Sequence, residues 1–212
     1  MDLSHLRSEY ALESLDIDQV DRCPFTQFQH WYQQAATAEL LEPNAIVLAT
    51  VDPDGQPAQR TVLLKYFDKS GFVFFTNHES RKARHIAQNA RVSFLLQWLP
   101  LQRQVEIGGI ATKVSTAESL KYFVSRPRGS QLGAWVSQQS EIVSSRSLLE
   151  AKMQQMKERF AAGKVPLPSF WGGYRVAPTR FEFWQGRPNR LHDRICYEKD
   201  EQEDWVRKRL SP

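Results

Sequence analysis

Residues 45–77 read AIVLATVDPDGQPAQRTVLLKYFDKSGFVFFTN, and this stretch decides the fold class. Three runs rich in β-branched and aromatic residues, AIVLATV, PAQRTVLLKYF and FVFFTN, are separated by DPDG and DKSG, both of turn chemistry. Connections this short join antiparallel neighbours. The stretch therefore reads as an antiparallel meander.

The flanks extend that reading. Upstream, residues 24–42 place Phe28, Trp31, Tyr32 and Ala35 on one helical face. Downstream, SRKARHIAQN is a short helix, and ARVSFLLQWL and RQVEIGGIATKVS are two further strands. STAESLKYFVSRP opens with a capping box, Ser115 and Glu118, and stops at Pro127. SQLGAWVS is a further short helix with Ser130 as its N-cap. Residues 147–162 form an amphipathic helix, with Leu149, Met153, Met156 and Phe160 on one stripe and Ser147/Glu150 as a capping box. GKVPLPSFWGGYRV, with its Pro and Gly, reads as irregular. The chain closes on a hairpin, FEFWQ, a GRPN turn and a strand from Arg190, and then DWVRKRLSP. Six or seven strands, few of them separated by long helices, predict a mainly β (α+β) chain: an antiparallel barrel, closed or half-closed, with helices packed outside. No linker divides it, so residues 1–212 are expected to form one domain.

Composition narrows the function classes. Hydrophobic residues are 41% and charged residues 25%, ordinary for a soluble globular protein. No apolar run approaches the roughly 20 residues of a membrane span, and the charged N-terminus has no apolar core, so no secretory signal is expected. The expectation is a cytoplasmic protein with no membrane partner. Cys23 and Cys196 lie far apart without CxxC, and free thiols are the simpler reading. The five histidines form neither HxH nor HExxH, so no metal site is expected. A net charge of +4 with no basic block gives no support for nucleic-acid binding.

The positions of the cations carry more information than their number. Arg81 and Lys82 fall in the first turn of a helix, whose N-terminus is already partially positive. A solvated surface tolerates that for ~0.3–1 kcal/mol per charge, whereas a bound anion would be held by the helix end and both side chains. Arg60 sits in mid-strand among apolar residues, and Lys65, at odd spacing from it, points to the opposite face of a regular strand. Tyr122 and Arg126, one helical turn apart, make a second cradle with Ser130. In the closing hairpin, a strand from Arg190 puts Arg190, His192 and Arg194 on one face beside Trp184. Such a row is either a solvated edge that resists aggregation or a surface that meets an anion. Two phosphorylated small molecules would explain the separate groups economically.

The segments QRTVLLKYFD, FFTNHESRKARHI, RQVEIGG, KYFVSRPRGSQLGAWVS, VPLPSFWGGYRV and FEFWQGRPNRLHDR together resemble the pyridoxamine 5′-phosphate oxidase family. The match runs from LRSEY to the final Pro and rests on several motifs in order. The resemblance implies an FMN-binding split β-barrel that works as a homodimer with FMN at the subunit interface. It implies oxidation of pyridoxamine or pyridoxine 5′-phosphate to pyridoxal 5′-phosphate, with O2 as electron acceptor and H2O2 as product. It assigns Arg60, Thr61, Val62, Leu63, Leu64 and Lys65 to the FMN lining, with Arg60 and Lys82 as phosphate ligands. Phe75, Thr76 and Arg81 match cofactor positions, as do Gln104, Gln139, Ser140, Trp184 and Arg194. Lys65, Tyr122, Arg126 and Ser130 match the substrate-phosphate cradle. Arg190, Leu191 and His192 match the segment over the substrate ring, with Arg190 and His192 as its catalytic pair. Arg7, Ser8, Glu9 and Tyr10 resemble a segment that closes over the site, within a mobile N-terminal stretch of residues 1–20. Two departures are visible: Phe75 stands where some members carry Tyr, and HES precedes Arg81. Rival readings are a split-barrel flavin reductase with another substrate and a noncatalytic flavin- or pyridoxal-phosphate-binding protein.

Overall fold

A computed structural model describes residues 1–3, 5 and 9–212. Arg7 and Ser8 of the covering segment lie outside the described residues. The strands are β1 (Ala45–Val51), β2 (Pro57–Asp68), β3 (Gly71–Asn77), β4 (Arg91–Trp98), β5 (Arg103–Lys113), β6 (Trp171–Gln185), β7 (Asp193–Lys199) and β8 (Trp205–Leu210). The helices are α1 (Pro24–Thr37), α2 (Arg81–Gln88), α3 (Thr116–Ser125), α4 (Arg128–Val136) and α5 (Arg146–Arg159).

All strand pairs are antiparallel in the order β3-β2-β1-β4-β5-β6-β7-β8, and β3 also pairs β6. That last pairing closes β1 to β6 into a six-stranded barrel, with β7 and β8 as an extension. Closure needs two tight approaches. A Cβ on Gly71, at φ +134°, would lie 2.1 Å from the Val176 carbonyl oxygen. One on Gly109, at the β5 bulge, would lie 2.3 Å from that of Ala177. Only glycine has no Cβ to clash there.

Period-two alternation fills the barrel, because every second side chain points inward. Phe72, Phe74, Phe94, Phe181 and Phe183 are each at most 1% exposed. Helix α1 packs Phe28 edge-on to Phe72 at 5.0 Å and Trp31 edge-on to Phe183 at 5.3 Å. Burying one such Phe is worth about 1.5–3 kcal/mol. A smaller cluster outside the barrel joins α3, α4 and α5 through Phe123, Leu132, Met153, Met156 and Trp171.

Several expectations are corrected. Among the described residues there are eight strands, because DWVRKRLSP supplies β8; WGGYRV lengthens β6, and only the part before Trp171 is irregular. Ser145, not Ser147, caps α5 by accepting from the Leu148 N–H, and Glu150 pairs instead with Arg146. α5 buries no residue fully, so its apolar stripe is a half-covered one. Pro127 occupies the N-cap position of α4, which puts Ser130 inside the first turn. The strand after GRPN begins at Asp193, not Arg190, because Asn189 and Arg190 take left-handed φ values of 55° and 62° and break the extended run. Arg190, His192 and Arg194 therefore do not form a row on one strand.

The segment before α1 is tied down. Glu13 pairs with buried Arg103, the Leu15 N–H donates to Asp193, and Arg207 donates to the Ile17 and Val20 carbonyls. Leu15 and Val20 are buried in the main core.

Candidate active site

Strand β2 pairs with β1 along Pro57–Leu63 and with β3 only from Leu64 onward. Among the described residues its outer edge before Leu64 has no strand partner, and that edge floors a cleft of about 940 Å³. Consecutive residues from Ala58 to Leu63 line it, as expected where a backbone edge is the wall. Lys65 lines it as well, at the register shift between Leu64 and Tyr66, so Arg60 and Lys65 share the cleft despite their odd spacing. Leu64 does not line it; its side chain lies in the barrel core, 4% exposed.

One end of the cleft holds Arg60, Arg81 and Lys82. Lys82 Nζ donates to Thr76 Oγ1 at 3.1 Å and Gln139 Oε1 at 2.9 Å. Arg60 donates to Thr50 Oγ1 at 2.6 Å. The Arg81 backbone N–H donates to Ser140 Oγ at 3.2 Å. Among the described residues none of the three cations forms a salt bridge with a carboxylate. Burial, reinforced by the charge of Arg60, pushes the Lys82 ammonium down to about 8. Burial and then Arg81 lower Arg60. Three cations this close without a counter-charge are costly unless an anion joins them.

A second group in the lining is Tyr122, Arg126 and Ser130, with Lys65 Nζ 5.9 Å from the Tyr122 ring centroid. The Arg126 guanidinium lies 4.7 Å from the Trp171 ring centroid. Among the described residues its Nη1 is buried with no hydrogen-bond partner. An orphaned guanidinium N–H facing a cleft fits an oxyanion that would satisfy it. Tyr122 is held by stacking on Phe75. Helix α3, which carries Tyr122 and ends at Arg126, is fixed to the barrel because Glu118 takes the Tyr66 hydroxyl and Arg175.

The remaining site residues lie elsewhere. Gln104, Trp184 and Arg194 line a second cleft of about 240 Å³ beside β5 and β6. Glu182 spans two arginines there, accepting from Arg194 Nε at 2.7 Å and Arg180 at 2.8 Å. His192 sits 4.6 Å from Trp184 between ring centroids, and Tyr10 packs against both. The Arg187 N–H donates to His192 Nδ1 at 3.1 Å, so the neutral ring carries its proton on Nε2. Burial, then Arg190, lowers the His192 pKa, and Asp193 opposes them. Arg190 and Glu9 are exposed, as is Leu191 at 68%. One chain thus gathers Arg60, Lys82 and Arg126 in one cleft and leaves Gln104, Trp184, Arg194 and His192 apart from them.

Sequence reasoning missed Thr50, His85 and Glu182. The i,i+4 spacing of Arg81 and His85 and the lone charge in FEFW were the available signals. Among the described residues no group of His, Cys, Asp and Glu could hold a metal, and no helix is long and apolar enough to cross a membrane.

A closed antiparallel barrel with an unpaired strand edge floored by cations defines a split-barrel protein. A pyridoxamine 5′-phosphate oxidase-related, FMN binding protein from Nostoc punctiforme shares this fold, with a TM-score of 0.71 at 16% identity over 91% of this chain and 100% of that one. Residues 32–160 match the family described as Pyridoxamine 5′-phosphate oxidase, and residues 171–212 match the Pyridoxine 5′-phosphate oxidase C-terminal dimerisation region. The chain belongs to the pyridoxamine 5′-phosphate oxidase family. It is 63% identical to a pyridoxine/pyridoxamine 5′-phosphate oxidase of Crocosphaera subtropica and 58% identical to one of Rippkaea orientalis, in each case over 100% of both chains. PhzG from Burkholderia lata, solved with tetrahydrophenazine-1-carboxylic acid, superimposes with a TM-score of 0.88 at 30% identity, over 95% of this chain and 100% of that one.

Proposed function

We propose that the protein oxidises pyridoxamine 5′-phosphate and pyridoxine 5′-phosphate to pyridoxal 5′-phosphate, with FMN as cofactor and O2 as acceptor giving H2O2. The single observation that carries this is one cleft with two separate anion positions. One is the uncompensated Arg60/Arg81/Lys82 cluster, and the other is the orphaned guanidinium of Arg126. The first fits the phosphate of FMN, and the second, with Lys65, Tyr122 and Ser130, fits that of the substrate. A flavin reductase with an unphosphorylated substrate would have no use for the second. When bound, FMN supplies the two-electron acceptor.

The chain's own residues bind and orient. Contacts to a phosphate remote from the reacting carbon fix the substrate's position, which converts binding energy into alignment. His192 in its neutral form presents Nε2–H as a donor to a substrate oxygen or nitrogen. Arg190, on its left-handed turn, supplies positive charge over the ring.

Both clefts belong to one site under this reading, and the site takes two chains. Trp171 at the start of β6 lines the first cleft and Trp184 near its end lines the second. Thirteen residues at ~3.3 Å per residue put them on the order of 40 Å apart along the strand, more than one FMN spans. The match of residues 171–212 to a dimerisation region supports a homodimer whose partner brings its second cleft to the first. The continuous sheet through both matched regions supports one domain.

Anaerobic mixing with pyridoxamine 5′-phosphate tests the reaction. The flavin absorbance should bleach and return on admitting oxygen, with H2O2 formed. Flavin that stays oxidised under excess substrate would make the protein a carrier and not an oxidase.

A further inference from the structure

His85 is a buried side chain for which the proposed reaction provides no role. It lies on α2 one turn beyond Arg81 and is 6% exposed. Its Nε2 accepts from Arg81 Nε–H at 3.4 Å, so the proton of the neutral ring sits on Nδ1. That Nδ1 faces Thr50 Oγ1 at 3.2 Å, and the same hydroxyl accepts from Arg60 at 2.6 Å. One ring therefore reaches one arginine directly and the other through a single hydroxyl. An imidazolium would have no acceptor for Arg81, and it would add a fourth cation to Arg60, Arg81 and Lys82.

The choice of residue type follows from what such a cluster must do. Two guanidiniums on long side chains repel and spread, losing the geometry that two converging donors need. A carboxylate between them would hold them but cancel the charge a phosphate requires. A neutral imidazole and a hydroxyl hold both and leave the charge intact. We infer that neutral His85 is a positioning residue that, with Thr50, sets the relative placement of Arg60 and Arg81 and aims them at the cofactor's phosphate. This rests on reading the Arg60/Arg81/Lys82 cluster as the FMN phosphate site.

The test is titration of the full-length, flavin-stripped protein with FMN and with riboflavin, which has the same ring and no phosphate. His85→Leu should weaken FMN by about tenfold or more and leave riboflavin within about twofold. His85→Gln, whose amide can accept from Arg81 and donate to Thr50, should restore FMN affinity to within about threefold of the parent. Thr50→Val is close in shape and lacks the hydroxyl, so it should reproduce the FMN-selective loss even where His85→Leu fails to fold. Parental FMN affinity in Thr50→Val and His85→Leu would overturn the inference, as would equal losses for FMN and riboflavin, or a Gln variant as poor as Leu. Arg60→Ala is the control: if it too keeps parental FMN affinity, the phosphate site itself is misassigned and the inference falls with it.

Discussion

Phe75 lies nearly face to face with Tyr122, the ring centroids 4.1 Å apart and the planes 23° apart, and the Trp171 ring lies 5.5 Å from Phe75 and 6.2 Å from Tyr122, near parallel to both. The stack holds a hydroxyl-bearing ring at the mouth of the Arg126 position. Phe75→Leu should raise KM for pyridoxamine 5′-phosphate by roughly twofold to tenfold, the loss of one aromatic pair of about 0.5–1.5 kcal/mol. Phe75→Tyr should stay within about twofold in the same steady-state assay, because the stacking face is kept.

As a ligand of the FMN phosphate, the role proposed for it, Lys82 should make FMN binding sensitive to alkali. Its ammonium titrates near 8 in the folded, empty protein against an ordinary 10.5. Between those values the unfolded chain holds a proton that the folded one has released, so the empty protein gains stability as pH rises. FMN affinity, which draws on the charged form, should fall over the same range. Titrations at pH 7 and 9.5 should show the weakening in the parent and none in Lys82→Met.

The two anion positions should separate under mutation. Lys82→Ala is expected to weaken FMN about tenfold or more with a smaller effect on substrate KM, and Arg126→Ala the reverse. Flavin fluorescence and initial rates measure the two. Equal loss of both ligands in both variants would contradict the assignment.

In the β6–β7 connection, Arg190→Ala should raise KM and lower kcat/KM with FMN retained. His192→Ala should depress kcat chiefly if the imidazole handles a proton, and KM chiefly if it only holds substrate. Arg194→Ala should release FMN instead. Stopped-flow flavin reduction on the three variants distinguishes these outcomes, and parental behaviour in all three would return the segment to a solvated edge.

Gly186 leaves room for Tyr10: a Cβ there would lie 2.8 Å from the Tyr10 Cβ and Cγ. Gly186→Ala should lift Tyr10 off Trp184 and His192 and raise substrate KM by roughly twofold to tenfold, with FMN affinity unchanged. An unaltered KM would mean that the N-terminal segment takes no part in holding substrate.

The sheet was legible because its signals are local. The turns DPDG and DKSG bound β1, β2 and β3 where expected, and the period-two apolar pattern marked the barrel interior. WGGYRV was not, because its glycines look like loop residues until the close packing of β3 and β5 on β6 is known. The row from Arg190 to Arg194 failed for a related reason: a left-handed Asn189–Arg190 turn leaves no mark in a period-two count. Arg60 and Lys82 stood out as cations in unsuitable places, and Arg126 by its one-turn spacing from Tyr122. Glu182 and His85 did not, since half of what each touches, Arg194 and Thr50, comes from another strand.

Because β6 carries one cleft at each end, lesions in the two clefts should complement each other across subunits. A chain broken at Arg60 and another broken at Arg194 are each inactive alone when every site draws one cleft from each chain. In a mixed population, half of the randomly assorted dimers are hybrids, and each hybrid keeps one intact site of two, so about a quarter of the parental activity returns. Two defective alleles in one cell could then mask each other, and a variant that is harmful alone would be partly rescued by a second, differently placed fault.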